Sequence, residues 1–248
     1  MLSQKLPDTS FGDIEHDQKK CQTLFCIHTM PKRCQAPFGH VEPIELMSKY
    51  IAIAGNIGSG KSSMVDFLCN QFGLKPFFEQ NDANPYFPLF YNDMKHWAFH
   101  FEMFFLIQKF KMHREIAASP ESVILDRTIF EDAEVFTENL YRQGSMSKED
   151  YQTYRTLYET IAETIAPPKI LIYLECPVRA LKKRIAKRGR VEEKSIPDEY
   201  LKRLHQLYTK WIDHYDKSPV IRFSTEKIDY LEDFIHRQDL LQVIQKHL

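Results

Sequence analysis

Gly55-Asn56-Ile57-Gly58-Ser59-Gly60-Lys61-Ser62 fits the pattern G-x-x-x-x-G-K-[ST], and its setting matters more than its letters. Before it, Tyr50–Ala54 is a short apolar run of the kind that forms a buried strand; after it, Lys61–Gln71 has helical spacing. In that setting the glycines let backbone N–H groups turn inward around phosphate oxygens, and the helix N-terminus adds positive potential. Lys61 would reach the β- and γ-phosphates, and the Ser62 hydroxyl would ligate Mg²⁺. The alternative is a chance glycine turn. Only 8 of 248 residues are glycine, however, and Gly55, Gly58 and Gly60 all fall in this loop. The segment therefore predicts binding of a nucleoside triphosphate.

Outward from the loop, apolar strand-like runs alternate with amphipathic helices. This predicts an α/β fold of the P-loop NTPase type: a central parallel sheet of about five strands between layers of helices. The strands are expected at Tyr50–Ala54, Lys75–Glu79, Ser122–Leu125, Lys169–Leu174 and Val220–Phe223. Helices are expected at 61–71, 91–115, 129–142, 148–165, 177–187, 197–214 and 230–247. Trp97, Phe101, Phe104 and Phe105 form an apolar stripe on the long helix 91–115, more in keeping with core than with a ligand pocket. No internal repeat is seen, and no second linker follows residue 49.

Residues 1–48 read differently, with no sustained periodicity and with Pro7, Pro31, Pro37 and Pro43 among scattered polar residues. They are expected to be a flexible extension, or a stretch upstream of a true start at Met47, leaving 49–248 as one domain. Neither a secretory signal nor an acid-poor mitochondrial presequence is apparent, so a cytoplasmic location is expected, with mitochondrial targeting left open. Cys21, Cys26 and Cys34 match no standard zinc spacing, and five cysteines do not make a disulfide framework. No apolar run is long enough to span a membrane. The formal net charge is −1, from 33 basic and 34 acidic residues, which argues against a large nucleic-acid-binding face.

Three further signals point to a small-molecule acceptor. Glu79 ends the second expected strand, where ligands of parallel sheets lie, and can accept a hydroxyl proton; the alternative is a solvated strand-end charge. Asp126-Arg127-Thr128 follows the third strand. Asp126 can hold Mg²⁺ or its water, and Arg127 can bridge the acceptor oxygen and the moving phosphoryl group. The bland reading is a helix N-cap beside an exposed arginine. Arg184, Arg188 and Arg190 form a basic loop, read as a lid closing over ATP beside the P-loop or, taken alone, as a solvated face or RNA patch.

Together these motifs resemble the deoxynucleoside kinase family, especially its compact bacterial deoxyadenosine and deoxyguanosine kinases. The likeness covers about 49–248. It rests on GNIGSGKSS, Glu79 followed by Asn84-Pro85-Tyr86, Tyr91 before Trp97, DRTIFED at 126–132 and RGRVEE at 188–193. The resemblance implies that Glu79 is the general base on the nucleoside 5′-hydroxyl and that Arg127 orients that hydroxyl. It assigns Gly55, Asn56, Ile57, Gly58, Ser59, Gly60, Lys61, Ser62 and Ser63 to ATP, with Ser62 and Asp126 at Mg²⁺ and Arg184, Arg188 and Arg190 on the ATP side. Tyr91 and Glu193 would grip the sugar 3′-hydroxyl, with the tyrosine ring crowding any 2′-hydroxyl. Phe101 and Phe136 would flank the base, with Glu102 and Asp132 at its edge. A homodimer is also implied.

Two positions depart from the animal enzymes, which commonly have glutamine at the place of Glu102 and arginine at that of Lys109. An ionised glutamate only accepts hydrogen bonds. It therefore suits guanine N1–H and N2–H₂, and suits adenine only when protonated. That leans toward deoxyguanosine within a general purine preference, with deoxyadenosine or deoxycytidine still open. Alternatively, Glu102 pairs with Lys109 and never meets the base. Two other functions are carried forward: a thymidylate-type nucleoside monophosphate kinase, which would need extra basic residues for the acceptor's phosphate, and a regulatory or nucleic-acid-binding P-loop module.

Overall fold

The strand Tyr50–Ala54 (β1) is apolar throughout because both of its faces are covered: Tyr50, Ala52 and Ala54 point into one hydrophobic layer, Ile51 and Ile53 into the other. The computed structural model describes residues 50–79, 83–190, 193, 196–226 and 234–246. The expected extension at 1–48 lies outside them, as do residues 230–233 and 247 of the expected terminal helix.

The chain runs β1, α1 (Lys61–Phe72), β2 (Lys75–Phe77), α2 (Phe87–Phe90), α3 (Met94–Ala118), β3 (Val123–Asp126) and α4 (Ile129–Glu131). A π-helical turn (Asp132–Thr137) leads into α5 (Glu138–Arg142), α6 (Lys148–Ala162), β4 (Ile170–Glu175), α7 (Val178–Arg188), α8 (Asp198–His214), β5 (Val220–Ser224) and α9 (Phe234–Gln245). The five strands form one all-parallel sheet in the order β2-β3-β1-β4-β5. On one face α3, the π turn, α6 and α8 build the larger core; on the other, Met64, Val65 and Leu68 of α1 pack with Leu240 and Ile244 of α9. The order reverses at β1, so a crevice opens beyond the carboxyl ends of β1 and β3, where such sheets bind ligands.

Three expectations need correction. β2 stops at Phe77, its last residue paired with β3, so Glu79 lies beyond the strand rather than ending it. The expected helix 91–115 is one helix, but it starts later and runs further, as α3, and the separate α2 precedes it. Pro88 starts the short α2, and the Asp93 side chain caps α3 by accepting from His96 N at 3.1 Å. The expected helix 129–142 contains the π turn, which shifts the register of every side chain after it.

The P-loop is built on left-handed glycines. Gly55 has φ +151, and a Cβ there would lie 2.7 Å from Ser59 Oγ and 2.9 Å from the Leu174 carbonyl oxygen. Gly189, the C-cap of α7, has φ +71 but open space around it. Gly189→Ala should therefore cost only the left-handed strain of about 1–2 kcal/mol. Gly55→Ala adds a backbone clash and should cost ~3 kcal/mol or more. Urea denaturation of the two variants checks this, and equal losses would contradict it.

Candidate active site

The crevice is a cavity of about 860 Å³ with a phosphate end and an acceptor end. Ile57–Ser63 line the phosphate end together with Arg184, Lys187, Arg188 and Arg190; Glu79, Tyr91, Phe101, Glu102, Asp132, Phe136 and Glu193 line the acceptor end, and Asp126 and Arg127 lie between. Gly55 and Asn56 stand behind the cradle. Gly55 N donates to Glu131 Oε1 at 3.3 Å, while Asn56 accepts from Ile57 N at 2.7 Å and donates to the Leu201 carbonyl at 3.1 Å. The loop is thus pinned to α4 and α8 from behind.

Lys61 is almost fully buried, and its Nζ donates to the carbonyls of Gly55 (2.8 Å) and Asn56 (3.2 Å). Burial, and then the charge of Arg127, lower its pKa to about 8. Ser62 Oγ donates to Asp126 Oδ2 at 3.3 Å, and buried Asp126 Oδ1 has no hydrogen-bond partner. A hydroxyl beside a carboxylate with a free oxygen is a hard-oxygen pair suited to Mg²⁺, which takes few protein ligands and completes its shell with water and phosphate. No group of three or more His, Cys, Asp or Glu side chains suited to a metal occurs among the described residues.

Arg184 is a clamp. Its Nη1 donates to the Ser59 carbonyl and Thr225 Oγ1, both at 3.1 Å, and its Nη2 to the Thr225 carbonyl at 2.5 Å. This ties α7 to the P-loop and to the end of β5. Arg188 donates through Nε to Glu193 Oε2 at 3.0 Å, and Arg190 lies 3.6 Å from Glu193 Oε1. Burial and the nearby Glu193 push the Tyr91 phenol far up, so it stays a neutral donor close to that carboxylate.

Glu79 is the centre of charge at the acceptor end. Arg127 Nη1 lies 3.1 Å from its Oε2 and Lys109 Nζ 3.4 Å from its Oε1. Burial works to raise its pKa, but Arg127 and Lys109 outweigh burial and hold it below the usual range. It is not a solvated strand-end charge. Nor is Arg127 an exposed neighbour of an N-cap: Thr128 caps α4 by accepting from Glu131 N, and the Arg127 side chain is only 11% exposed, with φ +71. Lys109 reaches the carbonyls of Asp126 (3.3 Å) and Arg127 (2.8 Å) as well as Glu79. It therefore does not pair with Glu102, which accepts instead from Thr137 Oγ1 at 3.0 Å. Phe101 is held by stacking on Phe90 (centroids 4.0 Å apart, 6° between planes), and the Arg127 guanidinium lies 4.4 Å over Phe136.

Several members of the site were not expected from sequence. Phe87, Phe105 and Tyr200 line the acceptor end. Glu131, fully buried, joins Gly55 N, the Tyr208 hydroxyl and Arg127 Nε (3.2 Å). No local pattern marks it: Arg127 precedes the Thr128 N-cap with φ +71, so the two residues do not share a helix face. Nothing in the local sequence singles out Tyr200 or Tyr208.

A parallel sheet with a glycine-rich loop at β1, an acid-hydroxyl pair beside it and a clamped carboxylate across the cavity define a phosphoryl-transfer enzyme of the P-loop class. The family model for deoxynucleoside kinases matches residues 51–248, and the chain belongs to that family. It is 36% identical over 185 residues to a deoxyadenosine/deoxycytidine kinase of Bacillus subtilis (strain 168), covering 74% of this chain and 85% of that one. It is 35% identical to a deoxyguanosine kinase of Lactobacillus acidophilus, covering 79% and 90%. Among solved structures, a deoxyadenosine kinase from M. mycoides with bound dATP superimposes with a TM-score of 0.68 at 30% identity, covering 79% of this chain and 99% of that one. The same kinase with bound dCTP gives 0.69 at 28%, covering 80% and 100%. Membership of a kinase family sets aside the non-enzymatic module. No described helix is long and apolar enough to cross a membrane.

Proposed function

We propose that residues 49–248 transfer the γ-phosphoryl group of ATP to the 5′-hydroxyl of a deoxyribonucleoside, with purines preferred. The observation that carries this reading is the Glu79 carboxylate, clamped between Arg127 and Lys109 at one end of a cavity whose other end is the P-loop. Glu79 accepts the proton of the 5′-hydroxyl, and Arg127, 3.1 Å away, holds that oxygen in line. Lys61 and the lid arginines Arg188 and Arg190 neutralise the triphosphate, Arg184 holds α7 against the P-loop beside it, and the backbone N–H groups of the cradle orient it. Ser62 and Asp126 would hold Mg²⁺, which offsets charge on the phosphate oxygens. Tyr91 and Glu193 hold the sugar 3′-hydroxyl, and Phe101 and Phe136 flank the base.

A nucleoside monophosphate kinase fits less well. Its acceptor brings a phosphate, whereas Glu79, Glu102, Asp132 and Glu193 line the acceptor end and Lys109 and Arg127 are already engaged. An ATP-coupled assay over the four deoxynucleosides, their ribo-counterparts and dTMP tests the reading. Phosphorylation of deoxyadenosine or deoxyguanosine is expected, with ribonucleosides disfavoured; turnover of dTMP alone would overturn it.

A further inference from the structure

Two carboxyl groups at the acceptor end take no part in the transfer itself: Glu102 on α3 and Asp132 at the start of the π turn. Glu102 is 2% exposed, and no cation lies within ion-pair distance of it among the described residues. Thr137 Oγ1 donates to its Oε2 at 3.0 Å. Asp132 is 3% exposed, and its Oδ2 has no hydrogen-bond partner. The charged and titratable groups facing Glu102 are Glu79 beyond β2, Tyr91 before α3, Arg127 beyond β3, Asp132 itself, Tyr154 on α6 and Tyr200 on α8. The one cation among them, Arg127, already faces Glu79 and Glu131. A buried carboxyl without a cation, beside a second carboxyl, is neutralised rather than ionised.

On the nucleoside kinase reading above, we infer that Glu102 meets the nucleobase as a neutral carboxylic acid, and that its proton decides which bases the site accepts. A neutral acid offers one O–H donor and one acceptor. That pair matches adenine N1 and N6-H₂, and cytosine N3 and N4-H₂, as a glutamine would; it also matches guanine O6 and N1–H. The ionised group offers acceptors only. It still suits guanine, through N1–H and N2–H₂, but sets a lone pair against adenine N1 or cytosine N3. Recognition of deoxyadenosine and deoxycytidine therefore requires the proton, and recognition of deoxyguanosine does not. A lean toward deoxyguanosine follows only from an ionised Glu102.

Titration runs in the matching direction. Burial first, and then Asp132, push Glu102 well above the usual carboxylate range. Asp132 itself is raised to about 7, chiefly by burial, and its charge, once formed, opposes ionisation of Glu102. The change in base preference therefore falls above the ordinary carboxylate range.

The test is the ratio of kcat/KM for deoxyadenosine to that for deoxyguanosine between pH 6 and 9, with ATP as donor. Groups that act on the transfer step affect both substrates and cancel in the ratio. The ratio should fall as pH rises through the ionisation of Glu102, by about tenfold for each pH unit beyond it. Glu102→Gln should remove the slope, because an amide keeps one donor and one acceptor at every pH. A flat wild-type ratio, or a slope unchanged in Glu102→Gln, overturns the inference. If that variant does not fold, wild-type calorimetry at pH 8.5 in buffers of different ionisation heat decides. Proton uptake on binding deoxyadenosine but not deoxyguanosine is expected; equal proton counts overturn it. Failure of the kinase reading looks different, since no nucleoside would be phosphorylated at any pH.

Discussion

Replacing Glu79 with glutamine should lower kcat by about 10²–10⁴-fold, the range for loss of a positioned general base, while ATP affinity stays close to wild type. The two effects separate because Glu79 sits at the acceptor end, and Lys61 and Gly58–Ser62 at the phosphate end. Glutamine keeps a carbonyl to face Arg127 and Lys109 but cannot take the proton. Alanine removes the acceptor altogether and leaves two largely buried cations without their shared carboxylate, which is strongly destabilising. Glu79→Ala should therefore unfold at lower urea than Glu79→Gln, with both losing turnover. The pH dependence has a definite sign. Burial opposes ionisation of Glu79, but Arg127 and Lys109 prevail and hold it below its ordinary 4.5. Its contribution to stability is thus present above the unfolded-state value and is lost as pH falls through the lower folded-state value. Its acid limb in kcat likewise lies below 4.5. Near-wild-type kcat in Glu79→Gln, with ATP titrated calorimetrically as the control for folding, would remove Glu79 from the chemistry.

The parts of the site that the sequence discloses are those where one residue type meets a local geometric need. Glycines at 55, 58 and 60 mark a loop that must turn its N–H groups inward, and the apolar runs around them mark a doubly covered sheet. Pairings across the fold are less visible. Lys109 and Glu102 lie seven residues apart on α3, and a mutual salt bridge is the alternative to base readout by Glu102. The structure instead sends Lys109 to Glu79 and to the backbone of β3, because two buried carbonyls and a carboxylate await it there. The π turn at 132–137 was hidden for a different reason, since a one-residue shift of register over so short a segment does not stand out from the ordinary scatter of helical spacing. The break before α3 was legible in principle: Asp93, three residues before His96, carries a capping signal that the continuous aromatic stripe obscured. Glu131 joins strand, loop and α8 at once, and no local pattern encodes such a junction.

Arg127→Ala should cost about 10³-fold or more in kcat, within the ~10³–10⁵ range for an arginine that stabilises charge during phosphoryl transfer, and Arg127→Gly should cost the same. The guanidinium has three neighbours: Glu79 Oε2 at 3.1 Å, Glu131 Oε1 at 3.2 Å and the face of Phe136 at 4.4 Å. Lysine cannot reproduce that fork, so Arg127→Lys should recover only a small part of the lost rate. Stability separates the two truncations where activity does not. Arg127 is the sole non-glycine residue with positive φ among the described residues, at +71, and its N–H donates to the Ile53 carbonyl at 3.0 Å, fixing that backbone to β1. Alanine there retains a left-handed strain of about 1–2 kcal/mol, whereas glycine relieves it at an entropic cost of about 0.5–1 kcal/mol. Arg127→Gly should therefore be the more stable variant by about 0.5–1 kcal/mol in urea denaturation, with equal loss of turnover. Equal stability would mean that the β3–α4 junction stores no strain. Retained turnover in either variant would mean that the transferred phosphoryl group is steadied by the lid arginines without Arg127.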